Sequence, residues 1–160
     1  MRHAIITGTG SAVPSRLVTN AELSESLGED IAPFVEGTLG IRQRYWCTDN
    51  ESTADLCEVA GRRALEAAGI GPEDVDLLII ATDTPEFVSP PTASVVQHRL
   101  GLRRAGTFDV NAGCAGFATA LDIAWKYVAA DTRMNHVLVI GAYAMSKFLD
   151  QRDKKTVTIF

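Results

Sequence analysis

The run Asp76–Thr82, which reads DLLIIAT, is the feature that most restricts how this chain can fold. It is short and almost wholly apolar, with no alternation of apolar and polar residues. A strand with one solvated face alternates, whereas a strand covered on both faces does not. The run therefore predicts a central strand of a sheet that carries helices on both faces.

The remaining patterns place helices between further strands. We predict a helix at Ala21–Leu27 that is capped by Thr19 or Asn20, and a second that is capped by Ser52 or Thr53, runs to Ala68 and is ended by Gly69. Further helices are predicted at Thr92–Leu100 and Cys114–Ala130, with a short helix or irregular turn at 30–39. We predict extended segments at Ala4–Val13, Ile41–Trp46, Ala105–Val110, His136–Gly141 and Thr156–Phe160. This order predicts one α/β domain over residues 1–160, with a mixed, mainly parallel sheet. Since nothing follows the apolar Val157–Phe160 to cover its open edge, we expect the chain to be incomplete as a functional unit.

Charge and cysteine content exclude several classes of protein. The net charge of −5 argues against nonspecific nucleic-acid binding. The three cysteines, Cys47, Cys57 and Cys114, give no even disulfide framework and have no metal-ligand spacing. No apolar run approaches the roughly 20 residues that span a bilayer, and no signal segment opens the chain. We expect a cytoplasmic protein without a metal, a cofactor or a membrane span.

The stretch Phe108–Phe117, FDVNAGCAGF, places Cys114 where a strand passes into a helix. In the helix, Phe117, Leu121, Ala124 and Val128 recur at helical spacing and predict its apolar face. The first N–H groups of a helix are unpaired and carry partial positive charge, which favours a thiolate. Glycines on either side leave room for a substrate to approach.

Two interpretations of Cys114 follow from these residues. It is either a nucleophile activated by the helix or a small buried hydrophobic residue, as most free cysteines are. A nucleophile of this kind needs a base, but the histidines (His3, His98 and His136) show no catalytic pattern. The charged segment 150–155 is either a solvated surface or, through Lys154, a phosphate contact.

Four segments together resemble the N-terminal half of a β-ketoacyl-acyl-carrier-protein synthase III. They read ITGTGSAVPSRLVTNAEL, LGIRQRYW, DLLIIATDTP…PPTASVVQHRLG and FDVNAGCAGF, in the family's order over essentially the whole chain. The resemblance implies a thiolase-like fold, here the N-terminal half of a pseudo-symmetric α/β/α/β/α architecture. A C-terminal half would then be missing from this chain.

The resemblance also implies a reaction. Cys114 would accept an acyl group from acyl-CoA or another carrier thioester, and its N–H would belong to the oxyanion hole. Malonyl-acyl carrier protein would then lose CO2 and attack the acyl-enzyme, giving a β-ketoacyl product. A histidine and an asparagine of the C-terminal half would complete the site. Coenzyme A would take part as a substrate and not as a cofactor, and the enzyme would be a homodimer.

Three departures from the family pattern concern the substrates. The family stacks the CoA adenine between a tryptophan and an arginine, which match Phe34 and Lys154; a second CoA-binding arginine matches Thr38. These changes predict weak CoA binding or a starter delivered by another carrier. The aromatic residue that reaches the partner's acyl pocket matches Ser89, with Phe87 nearby. A smaller residue there predicts a longer or branched starter.

Two other functions stay open on the sequence alone. An acyltransferase of the same fold would pass the acyl group to an alcohol or an amine without condensation. A non-catalytic half would contribute only to assembly. We expect the 160 residues alone to be inactive, since the histidine and asparagine partners of Cys114 are absent from them.

Overall fold

The computed structural model describes residues 2–160. In chain order, its strands and helices are β1 (Arg16–Thr19), α1 (Asn20–Leu27), α2 (Ala32–Phe34), β2 (Gln43–Trp46), α3 (Thr53–Ala68), β3 (Leu77–Ala81), α4 (Thr92–Leu100), β4 (Gly106–Val110), α5 (Gly116–Ala130), β5 (Val137–Gly141) and α6 (Lys154–Val157). They form two compact units. The first holds residues 2–12 and Ser52–Tyr143, and the second holds Val13–Glu51 and Ala144–Phe160.

The first unit is built on a parallel sheet with strand order β4-β3-β5. The central residue pairs align without a bulge, so that Ile79 lies between Phe108 on one side and Val139 on the other. All five residues of β3 are buried, which confirms the central strand that the run DLLIIAT predicts. The α/β class with a mainly parallel sheet is likewise confirmed.

Alternate residues of β3 enter different cores. Leu78 and Ile80 pack with α3 and α4 on one face of the sheet. Leu77, Ile79 and Ala81 pack on the other face, where Ala120 and Ala124 of α5 cover them. Burial on both faces therefore accounts for the lack of polar residues in this strand.

The apolar face predicted for α5 is only partly correct. Ala124 is buried as expected, but Phe117 and Leu121 are exposed, and Ala120 packs on the sheet instead. Small side chains at the contact let the helix approach the sheet closely, so that a Cβ atom at Gly116 would lie 3.4 Å from the Cβ atom of Ala81. The larger side chains are left on the outer surface of the first unit.

Local capping signals fix α3 as predicted. Ser52 accepts the N–H of Asp55, while Asp55 accepts the N–H of Ser52, which makes a reciprocal capping box. Gly69 ends the helix in the left-handed conformation, with φ of 67°.

Residues 2–12 belong to the first unit but form no strand ladder there, contrary to the strand pattern predicted for Ala4–Val13. Their backbone packs instead against α3, where a Cβ atom at Gly8 would lie 2.5 Å from the carbonyl oxygen of Ala64. Ile5 and Ile6 are exposed in this segment. The apolar pattern that predicted a strand is present, but no neighbouring strand in the described residues pairs with it.

The second unit pairs β1 with β2 in antiparallel fashion. Its helix α1 is capped by Thr19, as predicted, and residues 32–39 form the short α2 followed by a π-helical turn. Its core contains one cluster of buried residues: Val18, Leu23, Ile31, Val35, Trp46 and Val157.

The predicted extended segment Thr156–Phe160 is wrong. Residues Lys154–Val157 form a helical turn, because Asp153 accepts the N–H of Lys155 and the hydroxyl of Thr156. This turn places Val157 in the core of the second unit. Across residues 2–160, no helix has both the length and the apolar character needed to cross a membrane.

Replacing Ser52 with alanine should lower the free energy of unfolding by about 1 kcal/mol, since the N-cap of α3 is lost. Urea denaturation of the purified protein measures this change. Ser26→Ala, on the exposed surface of α1, should change stability by less than about 0.5 kcal/mol. Equal stability of the Ser52→Ala variant and the unmodified protein would contradict the role of the cap.

Candidate active site at the carboxyl ends of the parallel strands

The three strands of the first unit run in the same direction, so their carboxyl ends share one edge of the sheet. Open parallel sheets bind ligands beyond this edge. Asp83 follows β3 by two residues, Cys114 follows β4 by four, and Tyr143 follows β5 by two. The fold therefore gathers a carboxylate, a thiol and a phenol from three distant parts of the chain.

Cys114 lies in a tight turn between β4 and α5. The turn is a single 3₁₀ segment, Gly113–Ala115, and α5 begins directly after it. Gly113 has φ of 50°. A residue with a side chain would be strained in this conformation. Asn111 supports the turn, because its side-chain oxygen accepts the N–H of Gly113 at 3.4 Å. The predicted passage from strand to helix at Cys114 is confirmed, with the regular helix starting two residues later.

The two thiols of the first unit have opposite environments. Cys114 is exposed, so it is not the small buried hydrophobic residue that the sequence left as an alternative. Cys57 is fully buried, and burial together with the negative charge of Asp109 raises its pKa to about 12. Cys57 therefore stays a neutral thiol at physiological pH, while Cys114 is open to a reagent or a substrate.

Tyr143 is a member of this edge that the sequence patterns did not single out. Burial raises the pKa of its phenol, and the negative charges of Asp83 and Cys114 raise it further. At neutral pH, the tyrosine is therefore an uncharged O–H group within electrostatic reach of the thiol. The position of Tyr143 just after a predicted strand was the available signal, since Asp83 holds the same position after β3.

The ring of Phe117 covers the end of β5. A Cβ atom at Gly141 would lie 2.9 Å from this ring, so only glycine leaves it room. The contact joins the first turn of α5, just beyond Cys114, to the strand that leads to Tyr143.

Phe87 and Ser89 lie in the loop 83–91, between β3 and α4. One end of the loop is held at Thr84, whose carbonyl oxygen accepts the hydroxyl of Thr53 at 2.5 Å. The tip is exposed, including the apolar side chains of Phe87 and Val88. The loop is thus anchored at its base and open at its tip.

The other predicted substrate residues belong to the second unit. Phe34 ends α2 with about half of its surface exposed, and Thr38 is exposed in the π-helical turn. Lys154 is bound by Glu29, with Nζ 2.5 Å from Oε1. No sequence pattern indicated this partner, which lies 125 residues away, and both side chains remain accessible to solvent.

Neither His136 nor His98 is placed to act as a base for Cys114. His136 comes directly before β5, at the amino end of the strand and so at the opposite edge of the sheet from Cys114. His98 is exposed near the end of α4. Among residues 2–160, no three His, Cys, Asp or Glu side chains are grouped closely enough to hold a metal ion.

Comparison with known proteins gives a consistent result. Residues 108–160 match the family model of 3-oxoacyl-[acyl-carrier-protein] synthase III. The β-ketoacyl-[acyl-carrier-protein] synthase III of Rhizorhabdus wittichii is 44% identical over 160 residues, which are 100% of this chain and 50% of that protein. The acetoacetyl CoA synthase NphT7 of a Streptomyces species is 45% identical over 156 residues, 97% of this chain and 46% of that protein.

Solved structures agree with the sequence matches. The priming β-ketosynthase of the R1128 polyketide pathway superposes with a TM-score of 0.94 at 34% identity, covering 99% of this chain and 47% of that chain. The synthase III of Aquifex aeolicus gives 0.91 at 34% identity, covering 97% and 49%. The chain belongs to the β-ketoacyl-acyl-carrier-protein synthase III family. The resemblance drawn from the sequence, and the thiolase-like fold that it implies, are confirmed.

The chain spans about half the length of the synthase III relatives that it matches. It aligns with the N-terminal half of the family. The part of the chain that matches the family model begins at Phe108, at the start of the segment that contains Cys114.

Replacing Gly113 with alanine should lower the free energy of unfolding by about 1 kcal/mol, because a side chain is strained at positive φ. It should also change the rate at which iodoacetamide modifies Cys114, since the turn that holds the thiol must shift. Gly37→Ala is the control, because a Cβ atom there meets open space and φ is not positive. Unchanged stability and unchanged Cys114 reactivity in Gly113→Ala would contradict this account of the turn.

Proposed function

We propose that this chain is the nucleophile-bearing part of a condensing enzyme that joins an acyl starter to malonyl-acyl carrier protein. The observation that carries the proposal is the exposed Cys114 in a tight turn at the carboxyl edge of the parallel sheet. Its motif and its relatives point to the same chemistry: the names of these relatives include a ketosynthase and an acetoacetyl CoA synthase.

In the proposed reaction, the thiolate of Cys114 attacks the carbonyl carbon of the starter thioester. The carbon–sulfur bond to coenzyme A, or to another carrier, breaks and that thiol leaves. The malonyl group then loses CO2, and the electron pair of the broken bond attacks the acyl carbonyl. A carbon–carbon bond forms, Cys114 leaves as thiolate, and the product is a β-ketoacyl thioester.

The first residues of α5 support this role electrostatically. N–H groups at the start of a helix have no partner within the helix and favour negative charge. We propose that the N–H of Cys114 itself donates to the oxyanion that forms on the acyl carbonyl. A preorganised donor of this kind contributes about 3 kcal/mol to transition-state stabilisation in other enzymes.

We propose that Phe34, Thr38 and Lys154 meet the carrier of the starter. The half-exposed ring of Phe34 is free to stack on an adenine base. Lys154 offers a point charge in place of a flat guanidinium, and Glu29 already binds it, so a phosphate must compete with a carboxylate. The lysine and its carboxylate partner favour weak CoA binding or delivery of the starter by another carrier.

We propose that Phe87 and Ser89 border the acyl pocket of the other subunit in a homodimer. Support comes from the loop tip, which exposes the apolar side chains of Phe87 and Val88. The small Ser89 leaves room for a longer or branched starter. We propose that a histidine and an asparagine from outside these 160 residues act as the catalytic partners of Cys114. We also propose a cytoplasmic location.

The decisive assay uses the complete enzyme that contains this chain, with acyl-CoA and malonyl-acyl carrier protein. Cys114→Ala should lower product formation by at least about 1,000-fold, since the covalent nucleophile is lost. The product should carry the starter plus two carbons, with one CO2 released per turnover. Cys47→Ala is the matched control and should keep near-normal activity.

Two results would contradict the proposal. A product with no added carbons, formed on an added alcohol or amine, would identify an acyltransferase without condensation. Equal turnover by Cys114→Ala and unmodified enzyme would remove Cys114 from the chemistry.

A further inference from the structure

Asp109 connects the strand that precedes Cys114 to the start of α4. It lies in β4, five residues before Cys114, and it reaches across to the first residues of α4. Its Oδ2 accepts the N–H of Thr92 at 2.7 Å, and its Oδ1 accepts the N–H of Ala93 at 2.8 Å. Both carboxylate oxygens are therefore used to hold the start of a helix on another segment.

This helix depends on Asp109 for its cap. The N-cap residue is Pro91, which has no side-chain oxygen. It therefore cannot accept a hydrogen bond from the first N–H groups of the helix. A carboxylate at a helix N-terminus satisfies unpaired donors and complements the helix dipole. Here the carboxylate comes from the strand that leads to the nucleophile.

The contact also fixes the loop 83–91. Ser89 is separated from Thr92 only by Pro90 and Pro91, whose rings fix φ, so the chain between them has little freedom. The opposite end of the loop is held at Thr84. Asp109 thus links two segments, the loop with Ser89 and the strand that leads to Cys114, through one side chain.

Other contacts hold the rest of α4 in place. The hydroxyls of Ser94 and Thr107 are 3.2 Å apart, and the amide of Gln97 donates to the carbonyl oxygen of Ala105 at 2.7 Å. These contacts lie further along α4 and do not involve Asp109. Loss of the Asp109 contact should therefore loosen the start of α4 and the adjoining loop, while the helix stays docked.

We propose that Asp109 is a positioning residue that fixes the loop carrying Ser89 and so sets which acyl starters enter the pocket that this loop borders across the homodimer. This inference rests on the proposed function, because it assigns the selectivity of that same site. Asp109 acts through backbone N–H groups and does not itself touch the reacting atoms.

Asp109→Asn keeps the shape of the side chain but replaces one acceptor with a donor and removes the charge. Asp76 provides a matched control at the opposite edge of the sheet. Its Oδ2 accepts the N–H groups of Asn135 at 2.8 Å and of His136 at 3.2 Å, so Asp76→Asn makes the same chemical change away from Cys114.

The test compares two rates in the complete enzyme: modification of Cys114 by N-octyl iodoacetamide and by N-methyl iodoacetamide. The octyl-to-methyl rate ratio for free glutathione in solution is the reference for a thiol without a pocket. In Asp109→Asn, the ratio for Cys114 should move at least about threefold toward this reference. A shift of this size is measurable because pockets discriminate single methylene groups by roughly 10-fold or more. The ratio of kcat/KM for long and short acyl-CoA starters should move in the same sense. Asp76→Asn should leave both ratios as they are in the unmodified enzyme.

A second variant covers the case in which Asp109→Asn does not fold. Thr92→Pro removes one donor to Asp109 without changing the carboxylate, and proline is well accepted at the first position of a helix. It should shift the alkylation ratio in the same direction by a smaller factor.

An unchanged ratio in the Asp109 and Thr92 variants would overturn the inference, as would an equal shift in Asp76→Asn. The alkylation measurement needs no condensation. If the proposed function fails, the unmodified enzyme will form no β-ketoacyl product, yet the alkylation ratios will still report whether Asp109 controls access to Cys114.

Discussion

The parallel pairing of β3 with β4 and β5 is the constraint on which the rest of the first unit depends. Because β3 is buried on both faces, its residues must be apolar and its neighbours must run alongside it in register. Parallel strands bring their carboxyl ends to the same edge, so the segments that follow them meet there. Cys114, Asp83 and Tyr143 are gathered by this geometry and by no local motif.

Burial then separates the two thiols of this unit. Cys57 sits in the core next to the charge of Asp109, and its raised pKa keeps it protonated. Cys114 lies outside the core, on a turn whose backbone requires glycine at Gly113. The same fold thus protects one thiol and presents the other. The phenol of Tyr143, whose raised pKa keeps it uncharged at neutral pH, lies at the same edge of the sheet as the exposed thiol.

Much of the fold could be predicted because its signals are local. The run DLLIIAT predicted β3, and the pair of Ser52 and Gly69 predicted both ends of α3. The position of Cys114 between strand and helix followed from its neighbours in sequence. The resemblance to the synthase III family added the expected chemistry, which local patterns alone do not contain.

The errors have physical causes. Helical spacing correctly included Ala124 in the apolar face, but close approach to the sheet favoured Ala120 over the predicted Phe117 and Leu121. The apolar end of the chain suggested a strand, whereas capping by Asp153 made a helical turn. Contacts between segments distant in the chain left no local pattern: Asp109 with Thr92, and Lys154 with Glu29.

Peptide mapping of the complete enzyme after incubation with acyl-CoA alone measures directly whether Cys114 carries the acyl group. Trypsin releases residues 105–126 as one peptide, in which Cys114 is the sole cysteine. If Cys114 is the nucleophile, this peptide gains the mass of one acyl group, and hydroxylamine, which cleaves thioesters, removes it. An acyl group on the peptides of Cys47 or Cys57, or on none, would contradict the assignment of Cys114 as the nucleophile.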